Sequence, residues 1–109
     1  MNLLQETTDM LSAYDKTWDD VLWIGCADFT ISIEDFKRLA NCEYNNDYGS
    51  PEVALDLKVV GKDWWLERTE YDGSEGWVYK AYPTKPSGQK SVQRVIGCWE
   101  SLAEMLDKR

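Results

Sequence analysis

Four carboxylates, Glu67, Glu70, Asp72 and Glu75, crowd the stretch just before Trp77. Paired carboxylates about 5–9.5 Å apart, beside aromatic platforms, are what glycosidic-bond hydrolysis requires. Acids and aromatics are both abundant in this chain, however, and charged turns are common in solvated hairpins. Histidine is absent. Its absence removes the commonest general base, the usual zinc sites, and the Ser-His and Cys-His nucleophile pairs. The three cysteines, Cys26, Cys42 and Cys98, are widely spaced and form no C-x-x-C. They read as small buried thiols rather than as a disulfide framework or a metal site. Glu43, Asn45 and Asp47 alternate as calcium ligands do. An EF-hand loop needs Gly at position six and Glu at position twelve, and those positions hold Tyr48 and Ala54, so the match is chance. With 109 residues there is little room for a deep cleft. The expectation is a protein without catalytic residues, metal or cofactor.

What remains is recognition. The block from Trp64 to Tyr82 holds three of the six tryptophans and three of the six tyrosines. Its apolar and charged residues alternate around a turn, as in a β-hairpin. Net charge is −8 and is unevenly placed. Residues 1–56 carry twelve acids and three bases, whereas residues 57–109 carry eight acids and nine bases. Such a chain repels phosphate, so direct nucleic-acid binding is not expected. It attracts a basic protein partner over distances set by salt screening.

Several elements must position these residues. Leu3, Leu4, Thr7, Met10, Leu11 and Tyr14 recur at helical spacing, predicting a helix over 3–15 capped by Asn2. Residues 20–31 read as extended, with a bulge or bend at Gly25. Residues 17–24 read equally as a helix capped by Thr17, with Asp20 at the third position. Ser32 caps a helix to Ala40, with Ile33, Phe36, Leu39 and Ala40 as its apolar stripe. Residues 45–51 are a loop.

Val53, Leu55, Leu57 and Val59 alternate with polar positions, predicting a half-buried strand over 52–60. Gly61-Lys62 suits a two-residue turn that sets Val59 opposite Trp64 and Leu57 opposite Leu66. A four-residue loop, Asp72 to Glu75, sets Tyr71 opposite Gly76, Glu67 opposite Lys80 and Trp65 opposite Tyr82. In this register Asp56 faces Glu67 at some cost. One face then gathers Val53, Leu55, Leu57, Val59, Trp64, Leu66, Trp77, Tyr79 and Ala81 as a core. The other gathers Asp56, Lys58, Trp65, Glu67, Thr69, Tyr71, Val78, Lys80 and Tyr82. Beyond Pro83-Thr84-Lys85-Pro86, Ser91 can cap a last helix bearing Val92, Val95, Trp99, Leu102 and Leu106. Gly97 weakens its middle, leaving a strand over 92–96 as the alternative.

The fold expected is a single α+β domain, 1–109, with an antiparallel three- to four-stranded meander packed on one face by two or three helices. The candidate binding residues are Trp65, Glu67, Arg68, Tyr71, Val78 and Tyr82, because aromatics and arginine are the usual anchors of interfaces. No apolar run approaches a membrane span and the N-terminus has no signal-peptide pattern, so a cytoplasmic location is expected. The function expected is a non-enzymatic protein-binding module. A homodimeric structural module is the second reading, and a small carboxylate-dependent enzyme the third.

The run Val59-Val60-Gly61-Lys62-Asp63-Trp64-Trp65-Leu66-Glu67-Arg68, followed by Glu70-Tyr71-Asp72-Gly73-Ser74-Glu75, resembles a signature of short uncharacterised proteins of Firmicutes phages and mobile elements. Asp35-Phe36 and Tyr48-Gly49 belong to the same pattern, which spans roughly residues 17–86. The resemblance transfers no functional residue. It implies a genomic setting in which small acidic proteins inhibit host systems, CRISPR effectors among them, and so suggests an acidic inhibitor of a nucleic-acid-handling host protein.

Overall fold

A computed structural model describes residues 1–46 and 49–106. Asp47 and Tyr48, which belong to the loop, calcium-like and signature readings above, lie outside the described residues, as do 107–109. The elements run α1 (Leu3–Ala13), a short 3-10 turn (Trp18–Asp20), β1 (Val21–Gly25), β2 (Thr30–Ile31), α2 (Ile33–Ala40), β3 (Lys58–Gly61), β4 (Trp64–Tyr71) and β5 (Ser74–Ala81). The fold is α+β. Its sheet has five antiparallel strands in the order β2-β1-β3-β4-β5, one more than the largest number expected. Both helices pack on the same face. No helix among the described residues is long and apolar enough to cross a membrane.

The helices form where caps and periodicity coincide. The Asn2 side chain accepts from Gln5 N at 2.9 Å, and Ser32 Oγ accepts from Asp35 N at 3.0 Å, each satisfying a first-turn donor. α1 buries Leu3, Thr7 and Leu11, and α2 buries Phe36 and Ala40. Leu39, assigned to the α2 stripe, is exposed instead. Residues 17–24 turn out to be both things. Thr17 N donates to Asp20 Oδ2 at 2.8 Å, holding one 3-10 turn before the chain extends into β1.

Both hairpins differ from the expected register by two residues. Asp72-Gly73 alone makes the β4–β5 turn, pairing Tyr71 with Ser74, Glu67 with Val78 and Trp65 with Lys80. The φ angles of Asp72 and Gly73 are 53° and 84°, both in the left-handed region that a type I′ turn demands and that Asp-Gly supplies. Lys62-Asp63, not Gly61-Lys62, makes the β3–β4 turn, with Asp63 at φ 65°. Val59 therefore faces Leu66, and Lys58 rather than Asp56 faces Glu67, which exchanges the expected repulsion for an opposite-charge pair. Because side chains alternate with a period of two, a two-residue shift leaves every side chain on its expected face.

Other expectations fail. The strand predicted over 52–60 is confined to β3. Val53 and Leu57 still pack against the core from irregular chain, but Leu55 is 73% exposed, and Ala81 is exposed at the sheet end. The β-bulge lies at Leu22, between the Val21 and Trp23 pairs, and it allows Val21 and Ile24 both to be buried. Gly25 serves a different need: a Cβ there would lie 2.3 Å from Phe29 O, so only glycine permits the close β1–β2 approach. No helix or strand forms beyond β5 among the described residues. Cys42 and Cys98 are exposed and Cys26 is half-buried, all three as free thiols, so the buried-thiol reading does not hold. A core row, Ile24-Val59-Leu66-Tyr79, crosses four strands under the helices.

Candidate functional site

The pairings that build the core row also build its neighbour on the other side of the sheet. Trp23 faces Val60, Val60 faces Trp65 and Trp65 faces Lys80, while Lys58, Glu67 and Val78 form the next row. Tyr82 lies against Trp65, ring centroids 5.2 Å apart and planes tilted by 56°. The result is a shallow groove of about 370 Å³ lined by Trp23, Val60, Trp65 and Tyr82, with Lys58 and Glu67 at one side. Neither helix covers it.

Polar contacts fix the rings. Trp65 Nε1 donates to Glu67 Oε1 at 3.0 Å, and Lys80 Nζ lies 3.0 Å from the same oxygen. The Lys80 ammonium, then the Trp65 N–H, hold the Glu67 carboxyl below the usual carboxylate range. Glu67 thus stays ionised and orients Trp65, whose polar edge is satisfied while its half-buried ring packs beside Tyr82.

Of the six candidates read from the sequence, Trp65, Glu67, Val78 and Tyr82 meet on this face. Tyr71 is on the same side but at the hairpin tip, six residues along β4 and about 20 Å from Trp65, where it is 84% exposed. Arg68 must be withdrawn. It shares the inward row of Trp64 and Leu66, and its side chain is only 3% exposed. Compositional reasoning placed it with the anchors, although strand alternation already assigned it inward. Strand alternation already sets Lys58 and Val60 on this side, although neither stands among the six candidates. Trp23 is the residue the sequence does not place, because only the β1–β3 pairing brings it to the face, and that contact is distant in sequence.

Arg68 instead anchors a buried polar cluster. Its Nη2 donates to Glu75 Oε2 at 2.9 Å and to the Tyr44 hydroxyl at 3.0 Å, and Nη1 lies 3.6 Å from Glu6 Oε1. Tyr44 in turn donates to Glu6 Oε1 at 2.5 Å. The guanidinium carbon sits 4.7 Å from the centroid of Trp77, whose Nε1 donates to Thr7 Oγ1 at 2.9 Å. Glu75 Oε1 accepts from Glu52 N at 2.7 Å. Among the described residues Arg68 Nε and Nη1 find no hydrogen-bond partner. The aromatic ring and the two carboxylates take the place of water around the cation.

This cluster makes stability depend on pH at both ends. Burial pushes the Glu75 carboxyl up, but the Glu52 N–H and Arg68 outweigh it and hold the group below its ordinary 4.5. Burial, helped by the Glu6 hydrogen bond, pushes the Tyr44 phenol up from 10.0 to about 12. A carboxyl lowered by folding contributes stability that is present above pH 4.5 and lost as pH falls through the folded value. A phenol raised by folding contributes stability that is full below pH 10 and lost as pH climbs toward about 12. Urea midpoints measured across pH should therefore fall at both limits. Glu75→Gln should flatten the acid limb and Tyr44→Phe the alkaline one; unchanged slopes in both variants would contradict the assignment.

Like Glu67, two more of the four carboxylates singled out in the sequence have structural partners. Glu75 is committed to Arg68 and the Glu52 amide, while Glu70 Oε2 caps the turn at Gly73 N at 2.8 Å. No three Cys, Asp or Glu side chains gather to hold a metal ion among the described residues. Comparisons with protein-family models, with curated proteins and with solved structures find no match to this chain.

Proposed function

We propose that this protein is a non-enzymatic protein-binding module that docks its partner on the open face of the sheet. One observation carries the reading: Trp23, Val60, Trp65 and Tyr82 form a contiguous aromatic-aliphatic surface on one side of the sheet, while both helices are spent on the other. Exposed apolar patches of this kind mark interaction sites, and rigid Trp and Tyr rings are their usual anchors.

Charge supports a basic partner. Asp9, Asp15, Asp19, Asp20, Glu34 and Asp35 are all exposed, on the helices and on the connection from α1 to β1, and Asp28 is exposed at the β1–β2 turn. The acidic surface is thus largely separate from the aromatic one. It steers encounter from a distance, and the open face makes the lasting contact. Inhibition of a basic, nucleic-acid-handling host protein by a phage-encoded acidic protein in the cytoplasm is the setting that fits this charge and the signature at residues 59–75.

The test is binding against a panel of basic nucleic-acid enzymes, with Trp65→Ala as the probe variant. A true partner should bind more weakly as ionic strength rises, and Trp65→Ala should weaken it about 30-fold or more, the cost of losing a hot spot of about 2 kcal/mol. Affinity indifferent to Trp65 and Tyr82 would remove the face from the interface. Affinity indifferent to salt would remove the basic partner. Concentration-dependent sedimentation to a dimer would favour the homodimeric module instead.

A further inference from the structure

The chain beyond β5 carries a second apolar surface. Ile96 is 85% and Trp99 98% exposed, with Val95 and Leu102 also largely in solvent. Among the described residues the hydrogen bonds of this segment run inside it: Arg94 grips Glu100 through two bonds of 2.8 and 2.7 Å, and Ser101 pairs with Glu104. Met105 is buried outside the main core. It rests where a side chain at Gly97 would collide, 2.7 Å from Met105 Cε. Trp99 has φ 60°, a left-handed conformation that a bulky residue adopts only under strain. The segment thus holds strain and exposes its largest ring. Yet Val92, Val95, Trp99, Leu102 and Leu106 have helical spacing. A helix of this length with Gly97 inside it is marginal in water without a surface to pack on.

The open sheet face is such a surface. The geometry points to residues 91–106 as a strap that closes, as a helix, over the open face of the same chain. This rests on the reading of that face as the docking surface. The tether is Pro83–Lys90, eight residues beginning beside Tyr82. At about 3.1 Å per residue it reaches about 25 Å, whereas β5 to β1 spans three strand spacings, about 14 Å. A tether this short gives the strap a high effective concentration at its own sheet, while two copies at net charge −8 repel each other. A partner would then bind by displacing the strap.

Cys98 supplies the test. In the full chain with Cys26→Ala and Cys42→Ser, a second thiol is placed on the face (Lys80→Cys) or, as control, on the exposed side of α2 (Glu34→Cys). Mild oxidation should join Cys98 to the face thiol within one chain at least tenfold faster than to the control, and Trp99→Glu should abolish the difference. Equal rates, or crosslinks running between chains, would overturn the strap. Trp65→Ala is assayed for partner binding in the Trp99→Glu background, where no strap competes. Intact affinity there would instead sink the docking face, so the two failures are separable.

Discussion

Replacing Arg68 by leucine is expected to remove about 3–5 kcal/mol of folding stability, the cost of stranding a buried charge whose partner is deleted. The loss arises less from the ion pairs than from what they leave behind. Glu75 is 5% exposed and Glu6 14%, and without the guanidinium both carboxylates are crowded together beneath Tyr44. Domains of this size hold only about 5–15 kcal/mol in total, so the variant should be unfolded at modest urea. The double variant Arg68→Leu, Glu75→Leu should recover much of the loss, because well-packed apolar residues often replace a buried pair without penalty. Equilibrium urea unfolding of the four-member cycle measures this directly. A single-variant loss below about 1 kcal/mol, the range of surface pairs, would show that the cluster is effectively solvated.

Trp77→Ala should be comparably severe, at about 3–5 kcal/mol. Trp77 lies on the inward row of β5, roofs the Arg68 guanidinium and reaches α1 through the Thr7 hydroxyl. Thr7 is fully buried and also donates to Leu3 O at 2.7 Å, so the indole is a polar link between helix and sheet, beside that of Glu6 to Arg68. Trp77→Phe keeps most of the apolar area and loses one buried hydrogen bond, so it should cost about 0.5–1.5 kcal/mol. Trp77 and Arg68 touch, and the two substitutions should be non-additive by at least about 0.5 kcal/mol. Thermal unfolding of the pair checks this, and strict additivity would mean that the cation and the ring do not support one another.

The face that each sheet side chain occupies is largely legible in the sequence. Strand alternation separated Trp64, Leu66, Trp77 and Tyr79 from Trp65, Val78 and Tyr82. Two wrong turn lengths did not disturb the division, because both errors were of two residues. Alternation also assigned Arg68 inward, and only the expectation that interface anchors include arginine drew it to the wrong side. The helices were legible because Asn2 and Ser32 cap apolar stripes.

The sequence by itself determined local choices: caps, the period of each apolar pattern and the side of the sheet on which each residue falls. These rest on interactions within a few residues along the chain. The tertiary structure decided what needs distant partners. Pairing of β1 with β3 brought Trp23 beside Trp65. Packing against Glu6 of α1, Tyr44 and the Glu52 amide turned Arg68 and Glu75 into a shared cluster. The segment from Ser91 onward shows the same limit from the other side. Its helical period is plain, but a helix of that length is stabilised by the surface it packs on, and residues 91–106 have none in this conformation.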